Sequence, residues 1–166
     1  TENATTKEEK IAILYRYLQE NMRYDSSQLG IGGWQTFDAE YVERNKYGDC
    51  KALTNFMKSM LTAAEIEAHA ALIRTGNKTY DLSEDFSSSD FNHVILYVPE
   101  AGNNGVWLEC TSSDLPPGVI GASNENRYAL LVKQEGSELI RTPVSTKDDN
   151  LLISNINIII AQDGTA

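Results

Sequence analysis

From Ile11 onward, apolar residues return every three or four positions. Ile11, Leu14, Tyr15, Leu18 and Met22 recur along "TKEEKIAILYRYLQENMRY", a spacing that stacks them on one face of a helix. Thr6 followed three residues later by Glu9 forms a capping-box pattern and predicts where that helix starts. After the glycine-rich "DSSQLGIGGWQTFD", a short helix is predicted in "DAEYVERNK", beginning near Asp38. A third helix is predicted from Asp49 or Cys50, with Leu53, Met57, Met60, Leu61 and Ala64 as its buried stripe.

After Ala64 the period changes. "IEAHAALIRTG" fits a strand, and "NKTYDLSEDFSSSD" reads as a polar, acidic loop. "FNHVILYVP" and "GVWLECTSS" read as two strands joined by the turn-rich "EAGNNG". "LPPGVIGASNENR" is irregular, and "YALLVKQEGSELIRTP" predicts a hairpin with Gly136 at its turn. Helices first and an antiparallel sheet afterwards indicate an α+β fold, in which the third helix packs on the sheet. "LLISNINIIIAQDGTA" reads as a strand running into an Asp163-Gly164 turn. The expected organisation is therefore a core over residues 1–145, then a linker and the first strand of a following β-rich region over 146–166. Thr1 in place of a start methionine fits the expectation of a processed or excised piece.

Composition narrows the function classes. The chain has 166 residues, enough for one domain with a sizeable core. A formal net charge of −10 argues against nucleic acid and against an anionic membrane surface. No apolar run is long enough to span a bilayer, because Asn155 and Asn157 interrupt the most apolar stretch. Two cysteines, Cys50 and Cys110, make no disulfide scaffold.

Why one of two cysteines should open a helix is the chemical question. Unpaired N–H groups and the positive end of the helix dipole favour an anion there, and thiolate is the nucleophilic form of cysteine. Gly48 in "KYGDCKALTNFMKSML" is expected to let the backbone turn tightly and to leave room for a substrate. The Cys50 amide is placed to donate to a developing oxyanion. A working nucleophile would also need a base and a cleft open to solvent.

Two histidines are available as base. His69 in "IEAHAAL" reads as a strand residue with a satisfied ring, whereas His93 opens the strand "FNHVILYV" after a polar loop. The plain alternative for His93 is a strand-end histidine with a backbone partner. If that strand pairs with "VWLECTS", positions 93 and 109 come close to opposite each other, and alternation puts Glu109 on the face of His93. Glu109 would then orient the imidazole; its alternative is a solvated strand carboxylate. Cys110 would point away, which disfavours a disulfide with Cys50 and makes it a small buried hydrophobe. Cys50, His69, His93 and Cys110 lack the short paired spacings of zinc ligands, so no metal or cofactor is expected. The acidic loop lacks EF-hand spacing and reads as solvated.

With these residues in place, the sequence resembles the transglutaminase-like superfamily of papain-like cysteine enzymes. "YGDCKALTNFMKSMLTAAEIEAHAALIRTG" is similar to its nucleophile segment, "FNHVILYV" to its histidine strand, and "VWLECTSSDLPPG" to the strand of the third catalytic residue. The resemblance runs from about Ile11 to Pro143 and is strongest to bacterial multidomain members. It implies that Cys50 is the nucleophile, His93 the base and Glu109 the orienter of an acyl-transfer reaction on a peptide or glutamine-type amide through a thioester. It also implies a protein or peptide substrate, neighbouring β-rich domains in the same chain, and an extracytoplasmic location. One position departs from the family pattern: the third residue is usually aspartate, often followed by proline, and here it is Glu109-Cys110. Trp34 is a candidate indole donor to the oxyanion or a wall of the cleft, and Gly48 a second cleft candidate. Asn92 and Asp49 flank catalytic positions and are expected to make structural hydrogen bonds. Hydrolysis is favoured over transamidation, since water is always available and no amine-binding feature is visible. The competing reading is a binding or assembly module that has kept the fold and lost turnover; a redox-sensing cysteine ranks third.

Overall fold

A computed structural model of the chain describes residues 4–27, 30–76, 82–83, 85, 89–100, 105–149 and 153–157. Three helices precede a five-stranded antiparallel sheet, as the order of periodicities predicts. Helix α1 spans Lys7–Asn21, and Thr6 caps it with the reciprocal capping box read from the sequence. The Glu9 amide donates to Thr6 Oγ1 at 3.1 Å, and Glu9 Oε2 accepts from the Thr6 amide at 3.1 Å. Helix α2, Ala39–Asn45, starts after Asp38, whose carboxylate accepts from the Tyr41 amide at 2.7 Å. Helix α3, Cys50–Ala63, is capped in the same way by Asp49, which accepts from the Ala52 amide at 2.9 Å. Two residues on each side, β1 (Arg23–Tyr24) and β2 (Tyr47–Gly48), pair in parallel just before α3.

The main sheet runs in the order β5-β4-β3-β6-β7, from strands β3 (His69–Ile73), β4 (His93–Val98), β5 (Val106–Leu108), β6 (Tyr128–Val132) and β7 (Glu138–Arg141). Strands β6 and β7 form the predicted hairpin, and Gly136 supplies a φ of +112° in its turn, a conformation that favours glycine. Most of the acidic loop before Asp90 lies outside the described residues, as does the Asp163-Gly164 turn.

Side-chain alternation divides the sheet into two layers. Leu96, Val98, Leu108 and Cys110 pack in one core with Ile11, Tyr15 and Leu18 of α1 and Leu53, Met57 and Leu61 of α3. Ile95 and Trp107 belong to the other core, with Ala71, Ile73, Ala129, Leu131 and Ile120. Ile120 comes from the irregular segment between β5 and β6, so that segment covers the face the helices leave open.

One register detail differs from expectation. Leu96 faces Leu108 and Val98 faces Val106, so position 109 continues opposite 95, and His93 and Glu109 are diagonal neighbours. Strand β5 also stops at Leu108, because the chain turns immediately after it. The Glu109 carbonyl accepts from the Ser112 amide at 3.1 Å and from the buried Tyr15 hydroxyl at 2.8 Å. Gln19 holds the far side of that turn through the Ser112 and Leu115 carbonyls, at 3.2 and 2.8 Å. Helix α1 therefore sets where β5 ends.

Tyr15 is 1% exposed, and burial, helped by the neighbouring Cys110 and Glu109, raises its phenol well above the usual range. Its hydroxyl thus stays a donor. Tyr15→Phe should lower unfolding stability by about 1 kcal/mol, the usual worth of a single internal hydrogen bond. Leu18→Ala, in the same packed layer, should cost roughly 2–5 kcal/mol. Urea midpoints measure both; no loss in Tyr15→Phe would mean that the ring acts by packing alone.

Candidate active site

The start of α3 is fixed by its cap. Asp49 is 4% exposed, with one oxygen on the Ala52 amide and the other paired with the Lys51 ammonium. Its carboxylate is thereby committed to structure, as expected for the residue before Cys50. Asn92 is likewise committed: its Oδ1 accepts from the Thr75 amide at 2.7 Å and its Nδ2 donates to the Thr75 carbonyl at 3.1 Å. These two flanking residues leave Cys50 and His93 held on short, pinned stretches of backbone.

His93 stands between the two other candidates. Its Nε2 lies 2.7 Å from Glu109 Oε2, and Cys50 is its other electrostatic neighbour. Burial alone would lower the imidazole's affinity for a proton. The neighbouring Cys50 and Glu109 outweigh burial and raise its pKa from 6.5 to about 9. Glu109 is 5% exposed. Burial would push its carboxyl up, but His93 and Thr111 hold it below the ordinary carboxylate range. Its Oε1 accepts from the Thr111 amide at 3.0 Å and from the Thr111 hydroxyl at 2.6 Å. Its Oε2 accepts a further bond from Asn124 Nδ2 at 2.8 Å. The extra methylene of glutamate is therefore accommodated, and the solvated-carboxylate reading does not describe this residue.

Other expectations fare differently. Cys50 is 3% exposed, so its sulfur is not in a cleft widely open to solvent. Gly48 is buried, and a Cβ there would stand 2.9 Å from Ala52 Cβ; the space beside it is filled by α3 and not left for a substrate. Trp34 follows a single 3-10 turn, Gly30–Gly33, and is 83% exposed, so it is packed into no wall. His69 pairs with Glu67 at 3.2 Å, away from the nucleophile. Both cysteines are free thiols. Cys110 sits in the helix-facing layer, and burial followed by the Glu109 charge raises its thiol far above the usual range. Among the described residues, no group of three or more His, Cys, Asp or Glu is arranged to hold a metal ion.

Asn124 escaped the sequence reading. It lies in "LPPGVIGASNENR", where no periodicity marks a position as buried. The only local sign is the turn-rich composition, which predicts a loop without saying which loop residue turns inward.

A family model described as the transglutaminase-like superfamily matches residues 1–114. No curated protein matches the sequence. A solved structure described as a "putative protease" from Parabacteroides distasonis superposes with a TM-score of 0.61 at 18% identity. The alignment covers 87% of this chain and 26% of that one, so the chain spans about a quarter of that protein's length. At this identity the likeness speaks to the fold alone.

Two outcomes follow from the geometry. Because the His93 pKa is raised, its stabilising contribution is complete below about 6.5, the unfolded value, and is lost as pH rises through about 9. The thermal midpoint of the wild type should therefore fall toward that of His93→Gln between pH 6.5 and 9.5, with the gap closing at the alkaline end; a constant gap would contradict the pairing. Gly48→Ala should destabilise by about 1–3 kcal/mol, since the opposing Ala52 methyl is fixed on a helix. An unchanged denaturation midpoint would show that the β2–α3 contact can relax.

Proposed function

Since the chain belongs to the transglutaminase-like superfamily, we propose that it is a cysteine-dependent acyl-transfer enzyme acting on peptide or glutamine-type amides. One observation carries this reading: His93 hydrogen-bonds the Glu109 carboxylate at 2.7 Å and has Cys50 as its other electrostatic neighbour. That is a nucleophile, a base and an orienting carboxylate brought together, on three separate elements.

The chemistry balances with these groups alone. The thiol proton passes to His93, and Cys50 sulfur forms a bond to the amide carbon. The carbonyl oxygen becomes an oxyanion, toward which the first N–H groups of α3 can donate, since helix N-termini leave them without intrahelical acceptors. As the C–N bond breaks, the imidazolium gives its proton to the departing amine or ammonia. Water then attacks the thioester, His93 takes its proton, and the carboxylic acid leaves with Cys50 restored as a thiol. Glu109 stabilises the imidazolium throughout without itself taking the proton. Hydrolysis is favoured over transfer to an amine, because water is always available. A protein or peptide substrate, adjacent β-rich domains and an extracytoplasmic location accompany the reading as proposals drawn from the resemblance.

Iodoacetamide labelling with peptide mapping tests the nucleophile. Cys50 should label at neutral pH well ahead of Cys110, and His93→Ala should slow Cys50 by about tenfold or more. Equal, slow labelling of both cysteines would sink the enzyme and favour a binding module. Incubation with a glutamine-containing peptide, with and without a primary amine, should release ammonia and leave the carboxylate product in both cases. Formation of the amine adduct as main product would reverse the preference for water.

A further inference from the structure

The carboxylate that orients His93 is itself held by a residue from a different part of the chain. Asn124 is 4% exposed, and its side chain makes three hydrogen bonds. Nδ2 donates to Glu109 Oε2 at 2.8 Å and to the Ile120 carbonyl at 2.8 Å, while Oδ1 accepts from the Thr75 hydroxyl at 2.5 Å. The amide can be placed only one way round. A carboxylate and a carbonyl are both pure acceptors, so the NH2 group must face them. Thr75 then meets the oxygen and donates.

The backbone beneath Asn124 is equally constrained. Its amide donates to the Gly121 carbonyl at 3.0 Å, and its carbonyl accepts from the Thr142 hydroxyl at 2.8 Å, just beyond β7. Thr75 is fixed in turn by both hydrogen bonds to Asn92, the residue before His93. A closed circuit results: Glu109 to Asn124, Asn124 to Thr75, Thr75 to Asn92, and along the backbone to His93, which returns to Glu109.

We propose that Asn124 is a positioning residue for the acyl-transfer triad, fixing the Glu109 carboxylate so that Oε2 meets His93. The proposal rests on the reading of Cys50, His93 and Glu109 as that triad. Its physical basis is the length of glutamate. A glutamate has one more rotatable bond than the aspartate usual at this position, so it needs more to immobilise it. Thr111 holds Oε1 from the following residues, whereas Asn124 and His93 are the partners of Oε2 among the described residues. Without the Asn124 donor, Thr111 restrains only Oε1 of a terminal torsion that is broad in an unrestrained glutamate, and Oε2 is left with His93, the group it is meant to orient.

A merely structural Asn124, stitching the β5–β6 segment to Thr75, would share these contacts, and a coupling experiment separates the two roles. Iodoacetamide labelling rates of Cys50 across pH 5–10 would be measured for the whole chain as wild type, Asn124→Leu, Glu109→Gln and the double variant. Thr75→Val, which removes only the hydroxyl that pins the amide, serves alongside in case Asn124→Leu does not fold. Asn124→Leu should slow labelling at neutral pH by about tenfold, in line with loss of a hydrogen bond to a buried charge, and shift the pH profile. It should slow it no further once Glu109→Gln is present. Thr75→Val should produce a smaller loss that also vanishes in the Glu109→Gln background.

Equal slowing on both backgrounds, or no slowing in either variant, overturns the positioning role and leaves the triad standing. A Glu109→Gln rate equal to wild type removes Glu109 from the triad, and the proposal for Asn124 with it. Failure of Cys50 to outpace Cys110 in the wild type rejects the acyl-transfer reading itself.

Discussion

A carboxylate buried to 5% exposure must find hydrogen-bond donors for both oxygens or give up its charge. Glu109 finds four, and meeting that demand organises much of the molecule. Thr111 brings the turn after β5 against Oε1, and His93 and Asn124 bring the start of β4 and the β5–β6 segment against Oε2. The same residue's carbonyl receives Tyr15 from α1. One residue thus joins the first helix, two strands and the covering loop, and its side chain alone reaches the imidazole.

What surrounds Cys50 follows a complementary rule. A nucleophile at a helix start needs the first N–H groups unclaimed, yet the helix needs a cap. Asp49 resolves the conflict by taking the Ala52 amide, two residues beyond Cys50. Its second oxygen is occupied by Lys51, so the cap is electrically quenched and does not set a free anion beside the thiol. The price of this compactness is access: Cys50 keeps only 3% of its surface.

Much of this was legible in residue order, because it depends on local physics. Capping residues Thr6, Asp38 and Asp49, the apolar stripes of α1 and α3, and the Gly136 turn all act within a few positions of themselves. Alternation also separated Glu109 from Cys110 correctly, since it needs only a strand and no register. What sequence could not give was register and closure. The diagonal placement of His93 and Glu109 follows from the pairing of Leu96 with Leu108, and the turn after β5 is held by Tyr15 and Gln19, more than ninety positions away in the chain. Asn124 turns inward through contacts to Thr75, Ile120 and Thr142, none of which leaves a periodic trace. Gly48 looked like room for a substrate because the neighbour filling that room, the Ala52 methyl, becomes adjacent only once β2 folds onto α3.

Strand β5 has only three residues, few ladder bonds to define its alignment, and the orienting carboxylate immediately after it. The sorting of its side chains between layers falls to apolar bulk: Trp107 stacks at a tilt on Tyr97, 4.8 Å between ring centres, while Leu108 and Cys110 enter the helix-facing core. A slip by one residue would send Glu109 into hydrocarbon and turn the thiol of Cys110 toward His93. The indole therefore works as a registration key for the chemistry. Exchanging bulky and small apolar residues along β5 would miswire a polar site whose every polar residue was still present.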